Sequence, residues 1–256
     1  TVARSALSPA ALAITGKLPQ STDPCGRVVY GVARDADELQ AVGKVDVQLS
    51  NRQSVFGRYM ATTYVSDPPY LKSENILTTR LGGRDNLAQS FTGGHTLILS
   101  GDTVNSIRFA FNRTSVHRTN ADTFGAPDVG INAYTYVPGY IRLIVNNGFN
   151  IGSGSFNSNT YTKVQNAGAS DDFTVVKGSH QFGFGGHYLW TKSDSLANAW
   201  SIGSYTFTGQ FTGNAMADFF SGRVAQHRQA NPNPVRVTQP VSAAYAQDTW
   251  KLGNVT

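Results

Sequence analysis

The chain has 256 residues, of which only 14% are charged and 11% are aromatic, with 26 glycines, one cysteine and a formal net charge of +5. Average soluble domains carry about 25% charge, and the 21 Lys and Arg are scattered with no basic stripe among aromatics, so nucleic acid is not an expected partner. Cys25 alone can form neither an internal disulfide nor a cysteine zinc site and reads as a plain thiol, and no apolar run approaches the roughly 18 to 20 residues of a membrane helix, which excludes helical spanning but not spanning by strands.

In chain order, "LSPAALAITGKLP" predicts one short helix at about 8–15, with Ser8 as N-cap, Pro9 in the first turn and Gly16 as the stop. The rest of residues 1–42 is turn-rich and reads as loop. From residue 43 the period becomes two. Val45, Val47 and Leu49 alternate with Lys44, Asp46 and Gln48, a turn follows at 51–53, and Ser54 to Tyr64 makes a return strand. A loop marked by Pro68-Pro69 and Gly82-Gly83 leads to a second pair, Asn86 to Leu97 and Asn105 to Thr114. In it Ile107, Phe109 and Phe111 stand opposite Arg108 and Ala110. Residues 115–169 are rich in Asn, Gly, Ser, Thr and Tyr without sustained periodicity, and read as one long polar loop containing Tyr134, Tyr136 and Tyr140.

The stretch "KGSHQFGFGGHYLW" at 177–190 has the glycine density of a phosphate loop, but aromatic and β-branched residues follow it where such a loop needs a helix. Parity resolves it into a strand. Phe182, Phe184, Tyr188 and Trp190 fall on one face and Gln181, Gly183, Gly185 and His187 on the other, with Gly178-Ser179 as the turn from Asp172–Lys177. Gly183 and Gly185 are expected to leave space on the polar face. Strands at 204–212, 223–229 and 241–250, with a helical turn in "GNAMADFFSG", complete a count of about nine.

Catalytic and metal signals are weak. His180 and His187 lie an odd number of residues apart and so on opposite faces, and His95, His117 and His227 lack ligand spacing. Asp171 and Asp172 are neighbours on a strand and diverge, and no nucleophile elbow occurs, so no enzyme and no cofactor is expected. The connections alternate short and long, and strands of about 9 to 13 residues suit a tilted crossing of a bilayer. The fold class is therefore all-β: an antiparallel meander forming part of a large transmembrane barrel. Its lipid-facing set is Val45, Val47, Ile107, Phe109, Phe111, Phe182, Phe184, Tyr188 and Trp190, and its lumen-facing set is Lys44, Asp46, Arg108 and His187, with Arg58 in the same wet wall. Tyr134, Tyr136 and Tyr140 are the candidate substrate contacts. Two other architectures satisfy much of the pattern: a soluble or secreted β-sandwich that binds glycans or cell surfaces, with its aromatic faces packed together, and a complete small porin with an even strand number and a closed sheet.

Four segments, "LSPAALAITGKLP", "GKVDVQLSNRQSVFGRY", "TGNAMADFFSGR" and "AAYAQDTWKL", spread from residue 7 to 252, together resemble Oar-like TonB-dependent outer-membrane receptors, whose full chains usually carry an N-terminal carboxypeptidase-regulatory-like domain. The resemblance implies a barrel of about 22 strands occluded by a plug, of which this chain would be a segment from the N-terminal half. It further implies partners: outer-membrane lipid, the remainder of barrel and plug, the TonB complex reached through an N-terminal region, and a small-molecule, glycan or peptide substrate.

Overall fold

The computed structural model describes residues 4–152, 159–198 and 200–253. Seven long strands form one antiparallel sheet in the order β1-β2-β3-β4-β7-β8-β11. They are β1 (Asp37–Ser50), β2 (Gln53–Ser66), β3 (Gly83–Ser100), β4 (Thr103–Thr119), β7 (Thr160–Lys177), β8 (His180–Leu196) and β11 (Pro234–Trp250). Four short strands, β5 (Arg142–Val145), β6 (Asn150–Ile151), β9 (Ser204–Phe207) and β10 (Gln226–Arg228), make a second sheet in the order β10-β9-β5-β6. Two-residue turns at 51–52, 101–102 and 178–179 close the hairpins at one end of the long sheet, and the connections 67–82, 120–159 and 197–233 lie at the other. Gly178 takes φ +61 in its turn, a conformation that only a residue without Cβ adopts freely.

The helix at the start forms as the sequence predicts. It is α1 (Pro9–Thr15), with Pro9 in its first turn and the Ser8 hydroxyl accepting from the Ala11 amide at 3.4 Å. A single turn follows at α2 (Tyr70–Ser73), and α3 (Ala215–Phe220) is the helical turn read from "GNAMADFFSG".

Three expectations change. Strand β1 begins at Asp37, inside the segment read as loop. The strands read at 204–212 and 223–229 do not join the long sheet, which has seven strands rather than nine; they supply only β9 and β10 of the small sheet. Tyr205 and Phe207 alternate as a barrel strand would, but they turn into a protein core, and Gly209 at φ +87 ends the strand after four residues. Finally, the loop read at 115–169 is strand at both ends, because β4 runs to Thr119 and β7 starts at Thr160. Within that loop, residues 153–158 lie outside the described set.

The hydrophobic core lies wholly outside the long sheet. Its members come from α1 (Ala11, Ile14), from Ile76, from the 120–152 connection (Phe124, Leu143, Val145, Ile151) and from 205–219 (Tyr205, Phe207, Phe219). Phe219 sits at its centre, edge-on to Phe149 at 5.2 Å and to Phe207 at 5.4 Å. This cap joins the long-connection end of the sheet, and the Ser8 amide donates to the Phe220 carbonyl at 2.7 Å to bring the N-terminal helix into it.

Asp218 is the polar hub of the cap. Its carboxylate has no exposed surface and accepts from the Thr212 amide at 2.9 Å, the Thr212 hydroxyl at 2.7 Å and the Phe211 amide at 3.3 Å. Burial works to raise its pKa, but these donors together with the Gly209 amide hold it below the usual 3.8. A carboxyl depressed by folding stabilises the fold fully above its unfolded pKa, and that contribution disappears as pH falls through the lower folded value. Amide exchange at Phe211 and Thr212 is therefore expected to lose protection on acidification below pH 3.8. In an Asp218→Ala chain it is expected to speed up by roughly tenfold to a hundredfold at neutral pH, while amides of β3 and β4 stay protected.

Candidate functional site: the two faces of the sheet and the cap surface

Residues directly opposed on antiparallel strands share a face, so the register assigns every side chain. Val45, Val47, Ile107, Phe109, Phe111, Phe182, Phe184, Tyr188 and Trp190 all fall on one face, whereas Lys44, Asp46, Arg108 and His187 fall on the other. Asp46, Arg108 and His187 share one row across the sheet.

The first face carries two aromatic rows. Tyr59, Phe91, Phe111 and Trp190 are opposed in one row, and His180 and Trp250 in another ten residues nearer the short turns, as the pairs Pro240–Trp190 and Trp250–His180 fix. The His180 ring stacks on Trp250 at 5.2 Å and on Phe182 at 5.5 Å, while its Nδ1 meets Asp248 at 2.7 Å. Ten residues span about 34 Å along a strand, or about 26 Å across a layer at a tilt near 40°. Asp171 interrupts this face, and its carboxylate accepts from the Asn105 side-chain amide on β4.

Beyond the Trp190 row the same face becomes charged. Lys163, Lys192, Asp194 and Arg236 cluster there, with Arg236 and Asp194 paired at 3.3 Å and the Tyr161 hydroxyl donating to Asp194. Strands of 14 to 18 residues thus contain an apolar segment of ordinary crossing length plus a hydrophilic extension towards the cap.

The second face carries the polar side chains, with Val42, Phe56, Leu189 and Val241 among them. Lys44 meets Asp46 at 2.8 Å, and the Tyr245 hydroxyl donates to Asp172 at 2.8 Å. Asp171 and Asp172 therefore point to opposite faces. The space expected at Gly183 and Gly185 is filled from the neighbouring strand β11. A Cβ at Gly185 would lie 2.3 Å from the Tyr245 ring, and one at Gly183 2.9 Å from the Gln247 amide, so these glycines are seats for larger side chains. Gly94 seats Phe56 likewise, at 2.5 Å.

The three loop tyrosines separate. Tyr134 and Tyr136 are 60% and 48% exposed on the cap, whereas Tyr140 is 3% exposed and packs with Val137 and Ile202. Tyr140 is thus a packing residue: burial first, and then the Asp122 charge, raise its hydroxyl pKa well above the ordinary value. The sequence does not distinguish it, since all three tyrosines sit in the same polar run.

The chemistry around Tyr134 and Tyr136 is assembled from distant segments. The Tyr136 amide donates to the Ser201 carbonyl at 3.1 Å, the Ala230 amide to the Trp200 carbonyl at 3.2 Å, and the Gln229 side chain to the Tyr134 carbonyl. Trp200 and Arg228 are thereby brought beside the two tyrosines, Arg228 lying over the indole at 4.7 Å and Arg142 at 5.6 Å. Neither arginine nor Trp200 is marked by any spacing in the sequence. A separate cavity of about 620 Å³ opens on the cap between the 18–30 segment, Leu77, Arg80, Phe149 and Met216, and Cys25 is an exposed free thiol lining it.

A sheet with an apolar, aromatic-belted face, no cover over it and short turns at one end is the pattern of an outer-membrane barrel wall. The chain belongs to the outer membrane beta barrel domain family, which matches residues 1–254. Its place is the bacterial outer membrane. The outer membrane transporter YddB from Escherichia coli is structurally similar over 89% of this chain, with 12% sequence identity and a TM-score of 0.50. The chain spans 27% of that protein's length. No curated relative matches the sequence. Within the described residues of this barrel domain, β1 and β11 each pair on one side only, so the sheet is open, and its seven strands are not the closed even set of a small porin. Nor is it a sandwich, since no strand of the small sheet packs on the long one among the described residues.

Truncating Tyr140 is expected to destabilise the cap by about 3 kcal/mol, read as a lower cap transition in thermal or denaturant melts. Tyr134→Ala and Tyr136→Ala are expected to shift the same transition by less than about 0.5 kcal/mol.

Proposed function

We propose that the chain is a segment of an Oar-like, TonB-dependent outer-membrane receptor, which captures a solute at its cap and passes it through the barrel with energy delivered from the inner membrane. The single observation that carries the reading is the division of labour in one chain: a wall with an apolar face, joined to a cap with its own core, exposed tyrosines and a cavity. Walls hold a protein in hydrocarbon, and long loops on the opposite side from the short turns carry recognition. The structurally similar YddB is an outer membrane transporter, which points the same way.

On this reading Val45, Val47, Ile107, Phe109, Phe111, Phe182, Phe184, Tyr188 and Trp190 touch lipid, and the two aromatic rows lie at the two interfaces of a hydrocarbon layer about 25 Å thick. Lys44, Asp46, Arg58, Arg108 and His187 face the lumen, where a plug and the remaining strands complete the wall. Tyr134 and Tyr136 contact a small-molecule, glycan or peptide substrate, and the chain itself makes and breaks no covalent bond.

Cysteine labelling in outer membranes tests the wall. In a Cys25→Ser background, which removes the exposed native thiol, His187→Cys is expected to react with a water-soluble maleimide about tenfold faster than Tyr188→Cys; equal rates at these neighbours would reject the assignment of faces. Transport is tested in whole cells. Removing TonB or collapsing the inner-membrane proton gradient is expected to stop accumulation of substrate while leaving surface binding intact, and accumulation that continues would reject energised import.

A further inference from the structure

We propose that Arg142 and Arg228, lying over Trp200 on the cap, form with nearby Arg80 a binding site for an oxyanion, the carboxylate or phosphate group of a captured molecule. Arg80 ends the short turn Ile76–Arg80, whose Thr79 hydroxyl accepts from the Gly152 amide at 2.9 Å, and Gly152 packs against the backbone of Ile141 and Arg142. The small sheet builds the site. Parallel pairing sets Arg142 beside Ser204, and antiparallel pairing sets Ser204 beside Arg228, so the two arginines flank one serine on a single face. The alternate residues of the same strands, Leu143 and Tyr205, face the hydrophobic core, which fixes the direction of the arginines.

The three positive charges have no internal counterion among the described residues. Arg142 is half-buried, and its pKa lies below the ordinary value through burial first and then through the charges of Arg228 and Arg80. No acidic side chain contributes to its environment, and among the described residues no carboxylate forms an ion pair with any of the three. Residues 1–3, 153–158, 199 and 254–256 contain no Asp or Glu that could supply one. Stacking on an indole holds a guanidinium in place but leaves its charge and its edge N–H groups free. Those edges match the paired oxygens of carboxylates and phosphates.

Trp200 is held for this task. It takes φ +65, a region rarely adopted by a bulky side chain, and its carbonyl accepts from the Gly203 amide at 3.1 Å and the Ala230 amide at 3.2 Å. Exposed Tyr134 and Tyr136 adjoin it on one side, and Arg80 carries the cluster to the wall of the 620 Å³ cavity on the other. The physiological meaning of the site, as the substrate determinant of the receptor, rests on the reading of the previous subsection, whereas anion binding itself does not.

The test uses the full-length receptor purified from outer membranes in detergent, with tryptophan emission as the readout and citrate, pyrophosphate or vesicles containing lipid A as probes. A saturable response to a soluble anion, to lipid A or to both is expected, and competition between them tells whether the oxyanion belongs to a solute or to the outer-leaflet lipid. Arg228→Gln, at the exposed edge of the small sheet, is expected to weaken binding about tenfold, and the Arg142→Gln/Arg228→Gln pair further. Arg236→Gln, which removes the same charge outside the cap, is expected to leave affinity unchanged. No saturable response to any of the three probes, or unchanged affinity in Arg228→Gln with an intact β spectrum, would overturn the site; the single variant decides if the double variant does not fold. Loss of anion binding with uptake preserved removes the site and leaves the receptor, whereas anion binding without uptake does the reverse.

Discussion

Register couples the seven long strands into one surface with two unlike sides. Opposed residues of neighbouring strands share a face, so Tyr59, Phe91, Phe111 and Trp190 form a continuous row only while every pairing is held. A slip of one residue in β4 would turn Ile107, Phe109 and Phe111 to the opposite face and bring Arg108 to the apolar one. The cost of a charge on the lipid side, about 2 to 4 kcal/mol near the middle of a bilayer, enforces the register from outside the protein. The glycine seats enforce it from inside, because the Phe56 and Tyr245 rings fit only where Gly94 and Gly185 lie opposite or beside them.

Two different solvents therefore stabilise one chain. The wall has hydrogen-bonded strands but no buried apolar side chain of its own, and its driving force comes from hydrocarbon around it. The cap folds as water-soluble proteins do, around Phe219, Leu143 and Phe207, with capped helices and a satisfied buried carboxylate at Asp218. The charged extension of the strands, marked by the Arg236 and Asp194 pair, joins the two regimes. A rigid cap on such a base can hold Trp200 and the arginines in a fixed constellation, which loops without a core could not.

Much of the wall is legible in the sequence because a barrel strand writes its two environments directly as parity. Val45 to Leu49, Ile107 to Phe111 and Phe182 to Trp190 alternate cleanly, and the register gathers their apolar members on one face of the sheet. The segments 115–119 and 160–169 are strands as well, but neither parity of them carries a run of large apolar residues, so the contrast vanishes and they read as loop. Tyr205 and Phe207 fail in the opposite sense. Their alternation is real, but periodicity does not say whether an apolar face meets lipid or protein, and only the short length of β9 and the presence of Phe219 opposite it decide.

The sequence by itself determined the strand period, the alternation of short and long connections, the helix capped by Ser8, and the separation of apolar from polar marker residues within each strand, because all of these follow from local backbone geometry and neighbouring side chains. Only the tertiary structure decided that Tyr140 is buried while Tyr134 and Tyr136 are exposed, that Gly183 and Gly185 are seats rather than spaces, and that Arg142 and Arg228 converge on Trp200. These depend on contacts between segments dozens of residues apart, and a parallel pairing such as that of β5 with β9 leaves no periodic trace in either segment that would name its partner.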